Sequence, residues 1–137
     1  MIDILVVDDH EAVRRGITEL FADLEGFAVV AAVADGSQAA AAVIRLRPRV
    51  VLMDISMPGM DGITATKTVL AVRPQARVVI LSGSVTGAAV HGAHAAGVAG
   101  YQLKSADPGE LVDAVRAVAA GQDAWCTQAA AVLRHAD

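Results

Sequence analysis

Five short apolar runs, each followed by a stretch of helical period, limit the folds open to this 137-residue chain more than any other feature. The runs are 2–7 (IDILVV), 27–33 (FAVVAAV), 49–53 (RVVLM), 77–81 (RVVIL) and 98–102 (VAGYQ). The segments about 10–24, 36–46, 61–73, 86–96 and 107–120 read as helices. Near-continuous apolar strands suit a sheet buried on both faces, and strand–helix alternation makes that sheet parallel. Gly100 lies inside the fifth run and makes it the weakest of the set. The punctuation agrees. ADG at 34–36 opens the second helix, and RP at 47–48 and 73–74 precedes an apolar run each time. DPGE at 107–110 is a helix start, with Asp107 as cap, Pro108 at the first helical position and Glu110 completing a box-like pattern.

The fold class expected is therefore α/β: a flavodoxin-like (βα)5 single domain with a five-stranded parallel sheet in the order 2-1-3-4-5 and helices on both faces. Composition supports one ordered domain, with 55% apolar and 19% charged residues. Aromatics are only 3%, so the core must be aliphatic and stacking platforms for single-stranded nucleic acid are scarce. A net charge of −4 disfavours a phosphate-backbone binder, and RLRPR at 45–49 reads as a solvated helix end. The single cysteine, Cys126, allows no internal disulfide and no CxxC metal knuckle. With no signal-peptide pattern and no bilayer-length apolar run, a cytoplasmic chain without a membrane partner is expected.

Ligands of open α/β sheets sit beyond the carboxyl ends of the strands. There the first strand delivers Asp8 and Asp9, the third Asp54, the fourth Ser82 and the fifth Lys104. Singly, each has a plainer reading: a cap or turn former, a loop hydroxyl, a solvated ammonium. Together they are coherent. Carboxylates about 5 Å apart repel by about 3 kcal/mol per pair at an effective dielectric near 20. A hard divalent cation such as Mg²⁺ relieves that repulsion and also accepts phosphate oxygens. Asp54 could then act as a carboxylate nucleophile toward a phosphoryl group, with Lys104 and Ser82 pairing its oxygens. His10, His91, His94 and His135 show no metal-ligand spacing with one another or with Cys126 and read as structural or solvated, with His10 a weak candidate for the site rim. No GxGxxG or GxxxxGK[ST] occurs, which disfavours a nucleotide-binding domain.

The motifs VVDDH at 6–10, MDISMPGMDG at 53–62, LSG at 81–83 and GYQLKSA at 100–106 resemble those of the receiver domain of two-component response regulators, over residues 1 to about 120. The start VDDH and the end GYQLKSADPGELVDAVRAVAAG are most similar to the NarL/LuxR-type subgroup. The resemblance implies Asp54 as phospho-acceptor and Mg²⁺ held by Asp8, Asp9, Asp54 and the backbone carbonyl of Ser56. It implies Ser82 and Tyr101 as switch residues and Lys104 as the phosphate-binding lysine. Ser56 and Ser84, two positions beyond Asp54 and Ser82, would tune phosphoryl lifetime. A histidine kinase or a small phosphodonor would supply the phosphoryl group. The chain would act as a regulatory phospho-acceptor, not an enzyme with a separate substrate. Its output face would be the fourth helix, fifth strand and fifth helix, with homodimerisation possible on phosphorylation. Residues 1–122 would form the receiver. Residues 123–137 would be a C-terminal extension or the start of a linker to a DNA-binding output domain absent from this chain, so that DNA is reached only through that domain.

The chain departs from the pattern at Ser105, where many receivers carry proline, and at Gln102, where an apolar residue is commoner. Gly87 and Gly92 fall inside the expected fourth helix, which predicts low local stability there. Three alternatives stay open: a stand-alone receiver acting by protein–protein contact, a docking module that has lost the chemistry, and a phosphatase of the haloacid-dehalogenase type. The last normally carries DxD after the first strand, where this chain has adjacent aspartates.

Overall fold

The computed structural model describes residues 1–135. Strands β1 (Ile2–Val7), β2 (Phe27–Val33), β3 (Val50–Asp54), β4 (Arg77–Ser82) and β5 (Gly100–Leu103) alternate with helices α1 (Glu11–Ala22), α2 (Ala39–Leu46), α3 (Gly62–Val72), α4 (Gly87–Ala96) and α5 (Pro108–Ala119). Beyond them lie a two-residue strand β6 (Ala124–Trp125) and a helix α6 (Thr127–Arg134). All pairings are parallel, in the order β2-β1-β3-β4-β5-β6. The flavodoxin-like order expected for the first five strands is present. The sheet differs from the expected five strands by gaining β6 on the outer edge of β5.

Strand periodicity divides the core into two layers. Leu5, Val7, Val51, Met53, Val78, Ile80 and Tyr101 point to one face, covered by α2, α3, α4 and α6. Ile4, Val6, Val50, Leu52, Val79 and Leu81 point to the other, covered by α1 and α5 through Ile17, Phe21, Val112, Val115 and Val118. β3 is buried from end to end, and β1 and β4 are buried beyond their first one or two residues, which is why their sequence shows no polar alternation.

The helix ends follow local chemistry. Asp35 accepts the Ser37 N–H at the start of a 3₁₀ turn (Gly36–Gln38) that leads into α2, so the expected helix 36–46 begins with tighter winding. Arg47 closes α2 in the left-handed region at φ 48°. Two residues on, the Arg49 guanidinium donates to the Ala119 carbonyl at 2.9 and 2.6 Å, satisfying an orphan acceptor at the end of α5. RLRPR thus ends one helix and staples another. Asp107 caps α5 by accepting the Gly109 N–H, with Pro108 at its first position. Helix α4 starts at Gly87 behind the Thr86 cap, so only Gly92 is interior to it. A Cβ on Gly92 would come within 2.9 Å of Ile63 Cδ1, so this glycine serves the α3–α4 contact.

Candidate functional site

The motif MDISMPGMDG shapes the floor of the site. Asp54 ends β3 almost fully buried, at 2% exposure. The chain then turns through Gly59 at φ +80°, Asp61 accepts the Thr64 N–H as cap of α3, and Gly62 begins that helix. A Cβ on Gly62 would overlap the backbone carbonyl of Asp54. Only glycine lets α3 start against the strand end, and the Gly62 N–H reaches the Ile55 carbonyl at 2.9 Å.

Asp8 and Asp9 follow β1. Asp8 is wholly buried, while the Asp9 side chain is 25% exposed. Lys104, just past β5, places its Nζ 3.0 Å from Asp8 Oδ2 and 3.0 Å from Asp54 Oδ1. One ammonium therefore bridges the carboxylates of β1 and β3. Asp54 Oδ1 also accepts the Ser56 N–H at 3.2 Å, while Asp54 Oδ2 is buried without a hydrogen-bond partner.

Burial raises the Asp54 pKa above its ordinary value, and the nearby Asp8 charge adds to the rise against the opposing pull of Lys104. For Lys104, burial works against the charged form, but the hydrogen bonds and charges of Asp8 and Asp54 outweigh it and lift the pKa. The site is short of positive charge: three carboxylates cluster there, and the one ammonium pairs with two of them, Asp8 and Asp54.

The structure gathers Asp8, Asp9, Asp54 and Lys104 as the sequence anticipates. Ser82 stands at the end of β4, and its Oγ accepts the Ser84 N–H at 3.2 Å. Tyr101 is fully buried, and its hydroxyl donates to the Ser84 carbonyl at 2.8 Å. Ser56 and Ser84 are exposed. The backbone contains no cis peptide among the described residues, including the bond before Ser105. Gln102 is buried, and its Nε2 donates to the Ala124 carbonyl at 2.9 Å, so the polar residue serves β6.

His10 belongs to this site more closely than its sequence suggests. Its Nδ1 lies 3.2 Å from Asp8 Oδ1 and 3.1 Å from Asp9 Oδ1, and one donor atom from each of Asp8, Asp9, His10 and Asp54 lies within 4.8 Å of the others. Adjacency to the aspartate pair was the available signal. His91 and His94 lie on the exposed side of α4 and His135 follows α6. Beside Lys104, an apolar groove of about 330 Å³ runs between α1 and α5, lined by Val13, Ile17, Leu20, Leu103, Pro108 and Leu111. Among the described residues, no helix is long and apolar enough to cross a membrane.

Known proteins are similar to this chain in sequence and fold. The family model of the response regulator receiver domain matches residues 4–116. The response regulator GacA of Pseudomonas aeruginosa is 43% identical over 122 residues, covering 89% of this chain and 57% of GacA. The transcriptional regulatory protein LiaR of Bacillus subtilis is 34% identical, covering 89% of this chain and 58% of LiaR. This chain thus spans somewhat over half the length of these curated relatives. Among solved structures, a two-component response regulator of the LuxR family from Aurantimonas sp. superposes with a TM-score of 0.91 at 36% identity, covering 98% of this chain and 96% of that one. With the family model covering most of its length and the overall fold superposing on a LuxR-family regulator, the chain belongs to the response regulator receiver domain family, in company with LuxR- and NarL-type regulators.

Proposed function

We propose that Asp54 is the phospho-acceptor and that Asp8, Asp9, Asp54 and the backbone carbonyl of Ser56 hold the Mg²⁺ that the transfer uses. One observation carries the reading. Strand ends β1, β3 and β5 set the Asp8 and Asp54 carboxylates on Lys104, with Asp9 clustered beside them, leaving Asp54 Oδ2 buried and unpaired. An orphaned carboxylate oxygen among further carboxylates fits a hard cation. When bound, Mg²⁺ neutralises charge on the carboxylates and on the phosphoryl oxygens.

An Asp54 oxygen attacks the phosphorus of a phosphohistidine on a sensor kinase, or of a small phosphodonor. The bond to the donor nitrogen, or to the bridging oxygen of an acyl phosphate, breaks, and the imidazole or the carboxylate leaves with the electron pair. Lys104, already poised between Asp8 and Asp54, turns its ammonium to a phosphoryl oxygen. The Ser82 hydroxyl, two residues before the exposed Ser84, donates to another. The groove between α1 and α5 gives a donor protein an apolar landing surface beside Lys104. Hydrolysis of the aspartyl phosphate returns Asp54, and the small side chains of Ser56 and Ser84 leave water a path, giving a short to intermediate lifetime. The protein modifies only itself, so its role is regulatory and not that of an enzyme with a separate substrate.

The likeness to LiaR, named as a transcriptional regulatory protein, supports a transcriptional output through a DNA-binding domain joined beyond residues 123–137, with residues 1–122 as the phospho-accepting unit. Homodimerisation on phosphorylation accords with that output. The deciding experiment is intact-mass measurement after adding Mg²⁺ and a small acyl phosphate. One phosphoryl group is expected on the wild type and none on Asp54→Asn. A wild type that gains no mass from either the small donor or a cognate kinase overturns the reading in favour of a docking module.

A further inference from the structure

The expected output face includes α4 and β5, yet the chain's own β6 and α6 cover part of it. β6 pairs with β5 in the register Gly100↔Ala124 and Tyr101↔Trp125, and α6 packs against α4. Gly100 is adapted to this: a Cβ there would overlap the Ala124 carbonyl. The glycine that weakens β5 as a strand is what lets β6 approach.

The join is small. Ala124 N–H donates to the Ala99 carbonyl and Cys126 N–H to the Tyr101 carbonyl, both at 2.9 Å, and the Gln102 amide adds a third bond at Ala124. Across it, the Tyr101 and Trp125 rings stack with centroids 6.5 Å apart and planes 13° from parallel. The His94 ring of α4 lies 5.8 Å from Trp125 on a tilted plane. Ala129 of α6 is fully buried behind them.

These contacts continue inward without a break. The Tyr101 hydroxyl holds the Ser84 carbonyl, and the Ser84 N–H holds Ser82 Oγ. Ser82 thus connects through Ser84 and Tyr101 to Trp125. We infer that Trp125 is a positioning residue that couples Tyr101 to the docking of β6 and α6, so that the state of the site is read out through the chain's own last strand and helix. The seated Tyr101 seen here goes with a docked α6. A Tyr101 turned out of its buried place must leave its stack with Trp125 and loosen a clip made of three hydrogen bonds. Such a short clip belongs to the low-stability end of a fold, where a modest bias shifts population. Phosphorylation, by drawing Ser82 toward the phosphoryl oxygens and shifting the Ser84 loop, favours the seated tyrosine and the docked helix.

The inference rests on Asp54 accepting the phosphoryl group, and the test separates the two. Trp125 is the only tryptophan and Tyr101 the only tyrosine, so indole fluorescence reports on this junction alone. Intact mass and acrylamide quenching of Trp125 are followed in the same samples with Mg²⁺ and an acyl phosphate. Phosphorylated wild type is expected to show about twofold weaker quenching and about tenfold slower amide exchange in 127–134. Tyr101→Phe keeps the ring and the stack but loses the bond to Ser84. It is expected to gain the same mass while its quenching and α6 exchange no longer respond. Full phosphorylation of the wild type with unchanged quenching and unchanged α6 exchange overturns the inference, as does a Tyr101→Phe variant that responds like wild type. Absence of the mass gain overturns the phospho-acceptor reading instead.

Discussion

Asp54 is held at a cost. It is buried, it faces Asp8, and one of its oxygens has no partner. Its raised pKa means that the folded chain holds this proton more tightly than the unfolded chain does. Between the ordinary carboxylate value of 3.8 and the raised one, stability therefore falls as pH rises, and above that window the full penalty is present. Asp54→Asn removes the charge and keeps the shape. In chelator at neutral pH it is expected to melt about 2–4 °C above wild type, the shift that about 1 kcal/mol produces at this size. The difference should shrink as pH is lowered below that window. Melting curves of both proteins from pH 4 to 7 check this, and parallel curves would refute it. On the proposed reading, Lys104 has the complementary role of steadying charge that builds on the phosphoryl oxygens. Lys104→Ala is expected to slow phosphoryl uptake from a small donor by about 10²–10³, as loss of one such donor does elsewhere, with the mass endpoint still approached at long times. Asp8, Asp9, Asp54 and Lys104 were legible in the sequence because residue type and strand end together mark them. His10 was legible only as a weak candidate for the rim, because its approach to both aspartates depends on the turn out of β1, where its backbone N–H donates to Asp8 Oδ1 at 2.8 Å.

At the level of elements, the five apolar runs were readable because a parallel sheet buries each strand on both faces, leaving an uninterrupted apolar signal. The order of the sheet came only from fold class, and the structure supports it through β6. That strand was not readable. Two residues are too few to show a period, and α6 has only eight. The one clue was Gly100, an apparent flaw in β5 that the neighbouring Ala124 carbonyl explains. Gly92 is a similar case, read as a weak point of α4 but placed against Ile63 of α3. The α1–α5 groove gives an element-scale prediction, since its half-buried Leu20 and Leu111 lie away from the carboxylates yet lead to Lys104. Leu111→Glu is expected to cut phosphoryl transfer from a cognate kinase by about tenfold, the loss that about 1.4 kcal/mol of contact energy carries. Transfer from an acyl phosphate should stay within about twofold of wild type, because that donor makes no use of the groove. Paired kinetics with the two donors check it, and equal losses with both would place Leu111 in the chemistry.

For the whole molecule, the issue is where the folded unit stops. The resemblance carried by the sequence motifs runs to about residue 120 and suggests a boundary at 122, whereas the LuxR-family structure superposes over 98% of this chain. The structure carries the sheet past that point, and what lies beyond contributes to the core: Ala129 is fully buried, and Trp125, Val132 and Leu133 pack on the same layer as Tyr101. A chain ending at 122 keeps the site residues and both faces of the first four strands. It loses the cover of β5, whose outer N–H and C=O groups then form a free edge. Buried apolar surface contributes about 25 cal/mol per Å², so uncovering one flank of Tyr101 and its neighbours is expected to cost about 2–3 kcal/mol. That corresponds to roughly 6–10 °C in melting temperature for a domain this size. The shortened chain should still gain one phosphoryl group on Asp54, since Asp8, Asp9, Asp54 and Lys104 owe none of their recorded contacts to residues beyond 122. Its propensity to self-associate should rise with the exposed edge. Thermal melts, sedimentation and intact mass on the two lengths check the three statements together. An unchanged melting temperature would make β6 and α6 an ornament of the fold. A lower melting temperature with intact phosphorylation would mark residues 124–134 as part of the folded receiver, with the chemistry at one end of the sheet and the added strand along its edge.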